Sequence, residues 1–298
     1  VTTAISADVD QWSIGSLVLN SFDAAGGQWI VNPQATTGWY DGVGPRLNLQ
    51  DAPRSHGAYR ANSYNAERTI VVPGKYDGRS IPAAIAARDY VTGLYANGTQ
   101  QLLTVAGNGI SRSAMVEMGA QPKLSPFVAS NFDFQLTLTA ADPRKYGGAS
   151  ISTTGPAAST GGLDWITGGG LDWITGGGLN WGSTTSTGVV SATNPGTADS
   201  WPTFTIAANG GSIVNPVLTD YGGNVMSFAL TLSGTDTLVI SMNPLTRYAQ
   251  YNGTDTMGRA TSAQWWNVAA GATDTVSFGA LSFSGSPSLS MSLAPAYW

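Results

Sequence analysis

One histidine, no cysteine and two glutamates are what this 298-residue chain offers to most enzyme chemistry. Without cysteine there is no thiol nucleophile, no thiolate metal site and no disulfide. A lone histidine excludes a multi-histidine metal site. A Ser-His-Asp triad would have to use His56, in Arg54-Ser55-His56-Gly57. That stretch is polar and turn-rich, and the chain has no Gly-x-Ser-x-Gly elbow, so His56 reads as a hydrogen-bonding loop residue. Glycosidases need two carboxylates about 5–9 Å apart. Glu67 and Glu117 lie in separate strand-like runs, and the aspartates mostly sit at turns, where local hydrogen bonds occupy them. Neither a phosphate loop nor a dinucleotide fingerprint is present. The chain therefore reads as non-enzymatic, with no catalytic residue, no cofactor and no metal. EDTA and the substitution His56→Ala are both expected to leave it unchanged.

Tryptophan makes two further patterns. The first is an internal repeat of period eight: Leu163-Asp164-Trp165, Leu171-Asp172-Trp173 and Leu179-Asn180-Trp181, separated by glycine runs. Three short strands in a meander with stacked Leu and Trp would satisfy it, as a packing or interface element, against the alternative of a flexible Gly/Thr linker. A calcium β-roll fits poorly, because its repeat has nine residues and each unit here brings at most one carboxylate. The second pattern is Trp265-Trp266 with Tyr248 and Tyr251, beside Asn252 and Asp255. On a β-sandwich these would form a sugar-stacking platform, unless the rings are core.

The elements that must carry these residues are strands. Hydrophobic residues make up 42% and charged residues only 10%, well under the ~25% of ordinary soluble proteins. With 38 Gly and 15 Pro, the composition is that of an all-β protein with many turns. Residues 1–150 hold 11 Lys/Arg and 11 Asp/Glu, whereas 151–298 hold only Arg247 and Arg259 against seven Asp. An acidic, nearly cation-free half does not hold a phosphate backbone, so nucleic-acid binding is not expected. No stretch reaches ~18 consecutive apolar residues, so no membrane span is expected, and no signal peptide is visible at Val1.

Three regions follow. Residues 1–148 carry strand-like runs at 12–20, 28–32, 67–72 (closed by Pro73-Gly74), 101–106 and 112–119. The clearest strand is 131–140, where Phe132, Phe134, Leu136, Leu138 and Ala140 alternate with polar residues. One helix is expected near 81–96, capped by Ser80, with Pro82 in its first turn and a stripe of Ile81, Ala84, Ala87, Val91 and Leu94. Residues 149–188 are the Gly-rich inter-domain segment with the repeat. Residues 189–298 carry runs at 201–207, 213–219, 225–232, 237–242, 274–278 and 288–293, punctuated by Asn-Gly and Gly-Gly pairs, the pattern of a β-sandwich.

The strand 132–140 closes on Asp142-Pro143-Arg144-Lys145-Tyr146. That tail resembles the distal tail proteins of siphophages, also called minor tail proteins. Glu67-Arg68-Thr69-Ile70 and the helix after Ser80 resemble the same family's N-terminal domain. Asn194-Pro195-Gly196, Trp201–Ile206 and Trp266–Gly271 resemble its C-terminal galectin-like sandwich. The Leu-Asp-Trp repeats are similar to insertions in tail proteins of actinobacterial phages, which points to such a phage. The resemblance implies a mainly β protein with one helix, made of an N-terminal β-barrel or sandwich-like ring domain and a C-terminal galectin-like β-sandwich. It also implies a structural virion protein at the tail tip, made in the host cytoplasm. Its partners would be itself, as a homo-hexameric ring, the tail tube protein, the baseplate hub or tail-associated protein, and also the tape-measure and receptor-binding proteins. Asp142, Pro143, Arg144 and Tyr146 are the motif that carries the likeness. The alternative is a carbohydrate-binding adhesion module of a tail or cell surface.

Overall fold

The structure, a computed structural model, describes residues 9–54, 56–94, 98–160, 171–172, 178–179 and 183–298. Strands dominate it, with a single α-helix among the described residues. The chain divides into two compact units, one up to Gly147 together with Tyr297–Trp298, the other Gly148–Ala296.

In the first unit, eight strands follow one another in hydrogen-bonded order: Leu17–Leu19, Gln11–Ile14, Gln101–Gly107, Ile110–Leu124, Asn131–Ala140, Arg68–Asp77, Gln28–Val31 and Ser21–Phe22. The run expected over 12–20 is thus a hairpin, because Gly15 at φ +56° turns the chain. Ile110–Leu124 is long enough to serve two layers. Its first half pairs with Gln101–Gly107 and its second with Asn131–Ala140, and register shifts around Ala120 bend it between them. The path does not close into a barrel, since its end strands do not pair with each other. The alternation in Asn131–Ala140 does what the sequence requires: all five apolar side chains are buried, packed with Trp12, Trp29 and Tyr76.

The helix spans Ile81–Gly93, and Ser80 Oγ accepts from Ala83 N at 3.3 Å. Ala84, Ala87 and Val91 are buried and Leu94 packs beside them, but Ile81 is 57% exposed. Ile81 is the first residue of the helix, three positions before Ala84, the first buried one. The helix ends at Gly93, earlier than expected, because Thr92-Gly93 are weak helix formers.

A hairpin arm leaves this unit between Pro45 and Asn65. Pro45–Arg46 pairs with Tyr64–Asn65, and Leu49–Asp51 with Ala58–Arg60. Neither pair joins the main sheet. Leu47, Leu49, Tyr59 and Tyr64 are exposed along it.

The second unit is a sandwich of two six-stranded sheets. One runs Ser150–Thr154, Ser288–Leu293, Thr203–Ala207, Thr237–Ser241, Tyr248–Tyr251 and Thr254–Asp255. The other runs Val189–Thr193, Thr273–Ser284, Ser212–Asp220, Val225–Phe228 and Ala260–Ala263, with Thr231–Ser233 on Ser212–Asp220. Their inner faces enclose a core that includes Phe204, Phe228, Ile240, Phe278 and Met291. Buried Asn194 ties its loops: Nδ2 donates to Ala198 O and Val268 O, and Oδ1 accepts from Gly196 N. The sequence assigns 150–154 to the inter-domain segment, yet it pairs over its full length with Ser288–Leu293. Beyond it, Ala158–Thr160 pairs with Ser183–Ser186, and Leu171–Asp172 with Gly178–Leu179.

Candidate functional site

The residues of the Asp142–Tyr146 tail form a clasp, built from hydrogen bonds to its own neighbours. Asp142 Oδ1 accepts from Arg144 Nη1 at 3.1 Å, and its Oδ2 accepts from the Tyr146 hydroxyl at 2.6 Å. Burial, then this bond to Asp142, push the Tyr146 phenol well above its ordinary pKa. Pro143 contributes its carbonyl, which accepts from Arg68 Nε at 2.7 Å. Arg68 Nη1 reaches Gly38 O at 2.6 Å and Asp41 O at 2.9 Å. Lys145 Nζ donates to Trp39 O at 3.0 Å. The tail thus fastens the 38–41 loop to the start of the Arg68–Asp77 strand. Pairing of Tyr146 with Ser113 adds the Ile110–Leu124 strand. The Arg112 guanidinium lies 3.8 Å from the centroid of the Tyr297 ring, and that of Arg144 lies 5.1 Å from that of Trp298.

Arg68 and Lys145 are the residues that reading the sequence left out. Both lie inside quoted motifs, but a cation in a strand is normally solvated, and nothing local marks these as buried. Burial, then Arg68 and Arg112, push the Lys145 ammonium down to about 8. Burial likewise lowers Arg68, against the opposing pull of Asp41. The arrangement orders loops around charges. It contains no nucleophile paired with a base.

His56 is exposed near the end of the hairpin arm. Among the described residues no group of three or more His, Asp or Glu is placed to hold a metal ion. No helix among them is long and apolar enough to cross a membrane.

The four aromatics of the sugar-platform alternative do not form one open face. Trp266 is only 6% exposed, packs at 5.6 Å from Phe204 and donates Nε1 to Asp274 Oδ2 at 2.9 Å. Trp265 packs against the core, with the Arg247 guanidinium 5.2 Å from its ring centroid. Tyr251 also packs on the core and donates its hydroxyl to Asp236 at 2.7 Å. Tyr248 is half-buried on the same strand. Asn252 is held by Asp236 as well. A cleft of about 400 Å³ does open beside Tyr251, lined also by Thr254, Asp255, Thr256 and Arg259.

Of the repeat, Leu171 and Leu179 are backbone register partners in an antiparallel pair. Leu163, Trp165, Trp173 and Trp181 lie outside the described residues.

No family model matches the chain, and no curated protein does. Solved structures do. The chain is similar to the SPP1 Dit protein, described as a paradigm of the hub adsorption apparatus in phages that infect Gram-positive bacteria. The identity is 13% and the TM-score 0.64, over 97% of this chain and 100% of that one. It is also similar to a chain of the phage P2 baseplate in its activated conformation with Ca, at 10% identity and a TM-score of 0.55, over 96% and 98% of the two chains. The same baseplate with Sr gives 10% identity and 0.51, over 95% and 98%. At such identities the likeness is one of fold, and it extends over the whole length of both partners.

Proposed function

We propose that this chain is a distal tail protein of a siphophage, a structural ring component at the tail tip that joins the tail tube to the baseplate hub. The observation that carries the reading is the end-to-end fold likeness to the SPP1 Dit protein, both units included. The clasp at Asp142–Tyr146 supports it, because the tail that resembled the family is the segment that fastens the first unit's loops. In this reading six copies form a closed ring through residues 1–148, and the sandwich of 189–298 projects toward receptor-binding proteins. Tail tube, hub or tail-associated protein and tape-measure protein are its neighbours along the axis.

The hairpin arm fits a ring as well. An isolated two-stranded hairpin is marginal in water, and this one displays Leu47, Leu49, Tyr59 and Tyr64. A neighbouring copy would cover that apolar strip. The test is electron microscopy of the full chain mixed with its tail tube protein. Six-fold rings stacked on tube ends are expected, and a tail reconstruction with three copies or one at this level would refute the reading.

A second reading rests on the cleft beside Tyr251, Asp255 and Arg259, where a half-exposed ring meets polar side chains as in sugar sites. In that reading the chain is a carbohydrate-binding module. A glycan array separates the two: signal from a monomeric chain supports the module, and rings without signal support the tail protein.

A further inference from the structure

Three cations meet in the first unit without a carboxylate to pair them. Lys145 is 5% exposed and Arg68 2% exposed. Arg112, half-buried, lies close enough to Lys145 to oppose its charge. Arg144 pairs with Asp142, but among the described residues none of these three cations has an ion pair with a carboxylate. Arg68 Nη2 has no hydrogen-bond partner at all. Lys145, with three donors, has one acceptor, the Trp39 carbonyl. Taking a cation out of water carries a penalty that an opposite charge normally offsets. Here the protein supplies little of one.

Space exists for it. Lys145 and Arg112 line a cleft of about 270 Å³ together with Trp39, Tyr40, Asn108 and Asp10. The volume admits a carboxylate or a phosphate group, and Val105 and Ile110 complete the cleft walls beside the indole, the phenol and the amide. The one carboxylate in the lining, Asp10, already accepts the Tyr40 hydroxyl. Asp41 stands near Arg68 and Lys145 and offsets part of their charge. Three cations against two carboxylates leave the surroundings positive.

We propose that this cleft is an oxyanion site, in which Lys145 Nζ and the Arg112 guanidinium hold a carboxylate or phosphate group and Arg68 adds to the field from behind. Arginine and lysine donors to an anionic oxygen make the stronger class of hydrogen bond. A bound oxyanion would link the 38–41 loop, the Asn108 turn and the Asp142–Tyr146 tail. Its source is a free anion or a carboxylate presented by another protein.

The experiment titrates inorganic phosphate and, separately, acetate into the full chain by calorimetry at low salt. Saturable one-site binding of either anion is expected, weakened about tenfold or more in Arg112→Gln and in Lys145→Gln, as loss of a charge-assisted contact requires. Arg88→Gln, on the helix and stacked on Phe127, is expected to bind like the parent. Tighter phosphate binding would mark the site for a free tetrahedral anion, and tighter acetate binding for a protein carboxylate. Either order supports the site. Should Lys145→Gln fail to fold, Arg112→Gln, which is less buried, decides. Absence of saturable binding for both anions, or undiminished binding by folded Arg112→Gln, overturns the proposal.

Discussion

Trp266 holds its ring in the second core and aims Nε1 at a carboxylate that is itself partly desolvated. Burial raises the Asp274 pKa, and the bond from Trp266 opposes that rise. Trp266→Phe keeps most of the apolar volume but removes the donor. Leaving a half-buried carboxylate short of a partner costs about 1–3 kcal/mol. That loss is expected in the urea midpoint, and it should shrink when Asp274→Asn is added, because the charge that needs the donor is gone. Lys145 gives a second residue-scale prediction, through pH. Its folded pKa of about 8 lies below its ordinary value of 10.5, so between those pH values the unfolded chain binds the extra proton. Stability from this group therefore rises as pH increases from 8 to 10.5. The parent should gain stability relative to Lys145→Met between pH 8 and 10 in thermal melts. A constant difference across that range would contradict the burial of this ammonium. Above pH 10 the raised phenols of Tyr40, Tyr76 and Tyr146 act in the opposite sense, since only the unfolded chain can ionise them.

At the scale of elements, legibility in the sequence tracked locality. The Asn131–Ala140 strand announces itself by alternation, and the helix by its cap and stripe, because those signals lie within one element. Pro73-Gly74 reads as a stop, yet the Arg68–Asp77 strand passes through it. Pro73 sits at the end of the Gln28–Val31 pairing, where its carbonyl still accepts from Asn32 N at 2.9 Å, so the missing N–H costs one terminal ladder bond and not an internal one. Gly74 is needed there for space. A Cβ would stand 2.4 Å from both Ile30 O and Phe134 Cζ. Gly74→Ala should therefore destabilise the first unit by about 1–3 kcal/mol, the cost of overpacking, in chemical denaturation. The Ser150–Thr154 strand was illegible for a different reason: its partner at Ser288–Leu293 is distant in sequence, and no local pattern carries that pairing. The clasp around Lys145 and Arg68 was hidden in the same way, because loops 38–41 and 142–146 meet only in the fold. The hairpin arm supports its own prediction. Replacing residues 46–64 with a short Gly-Ser turn should leave the main sheet intact by circular dichroism, since neither arm pair joins it. If the proposed ring is held by this arm, the shortened chain should form no rings in electron micrographs. Intact rings would show that the exposed strip of Leu47, Leu49, Tyr59 and Tyr64 faces something other than a neighbouring copy.

For the whole molecule, the proposed ring raises the question of which stretch of chain suffices to form it. Residues 1–148 hold every strand of the first sheet path, the helix and the arm, so they are the minimal candidate. They omit Tyr297 and Trp298, which belong to the same compact unit. Arg112 stacks on the first at 3.8 Å and Arg144 on the second at 5.1 Å, so the truncated chain loses two cation–π contacts, each about 0.5–2 kcal/mol. It is expected to fold with a lowered melting temperature, and still to form rings on tail tube ends. Losing the sandwich should instead cost the attachment of receptor-binding proteins. A second arm makes a negative result informative. The full chain carrying Tyr297→Ala and Trp298→Ala keeps the sandwich but loses the same two contacts. If both chains fail to form rings, the aromatic pair is what the first unit requires, and the assignment of the ring to it survives. If only the truncated chain fails, the sandwich, the repeat segment or the Ala296–Tyr297 strand that pairs with Lys145–Tyr146 is needed for the ring, and the sufficiency of residues 1–148 is overturned.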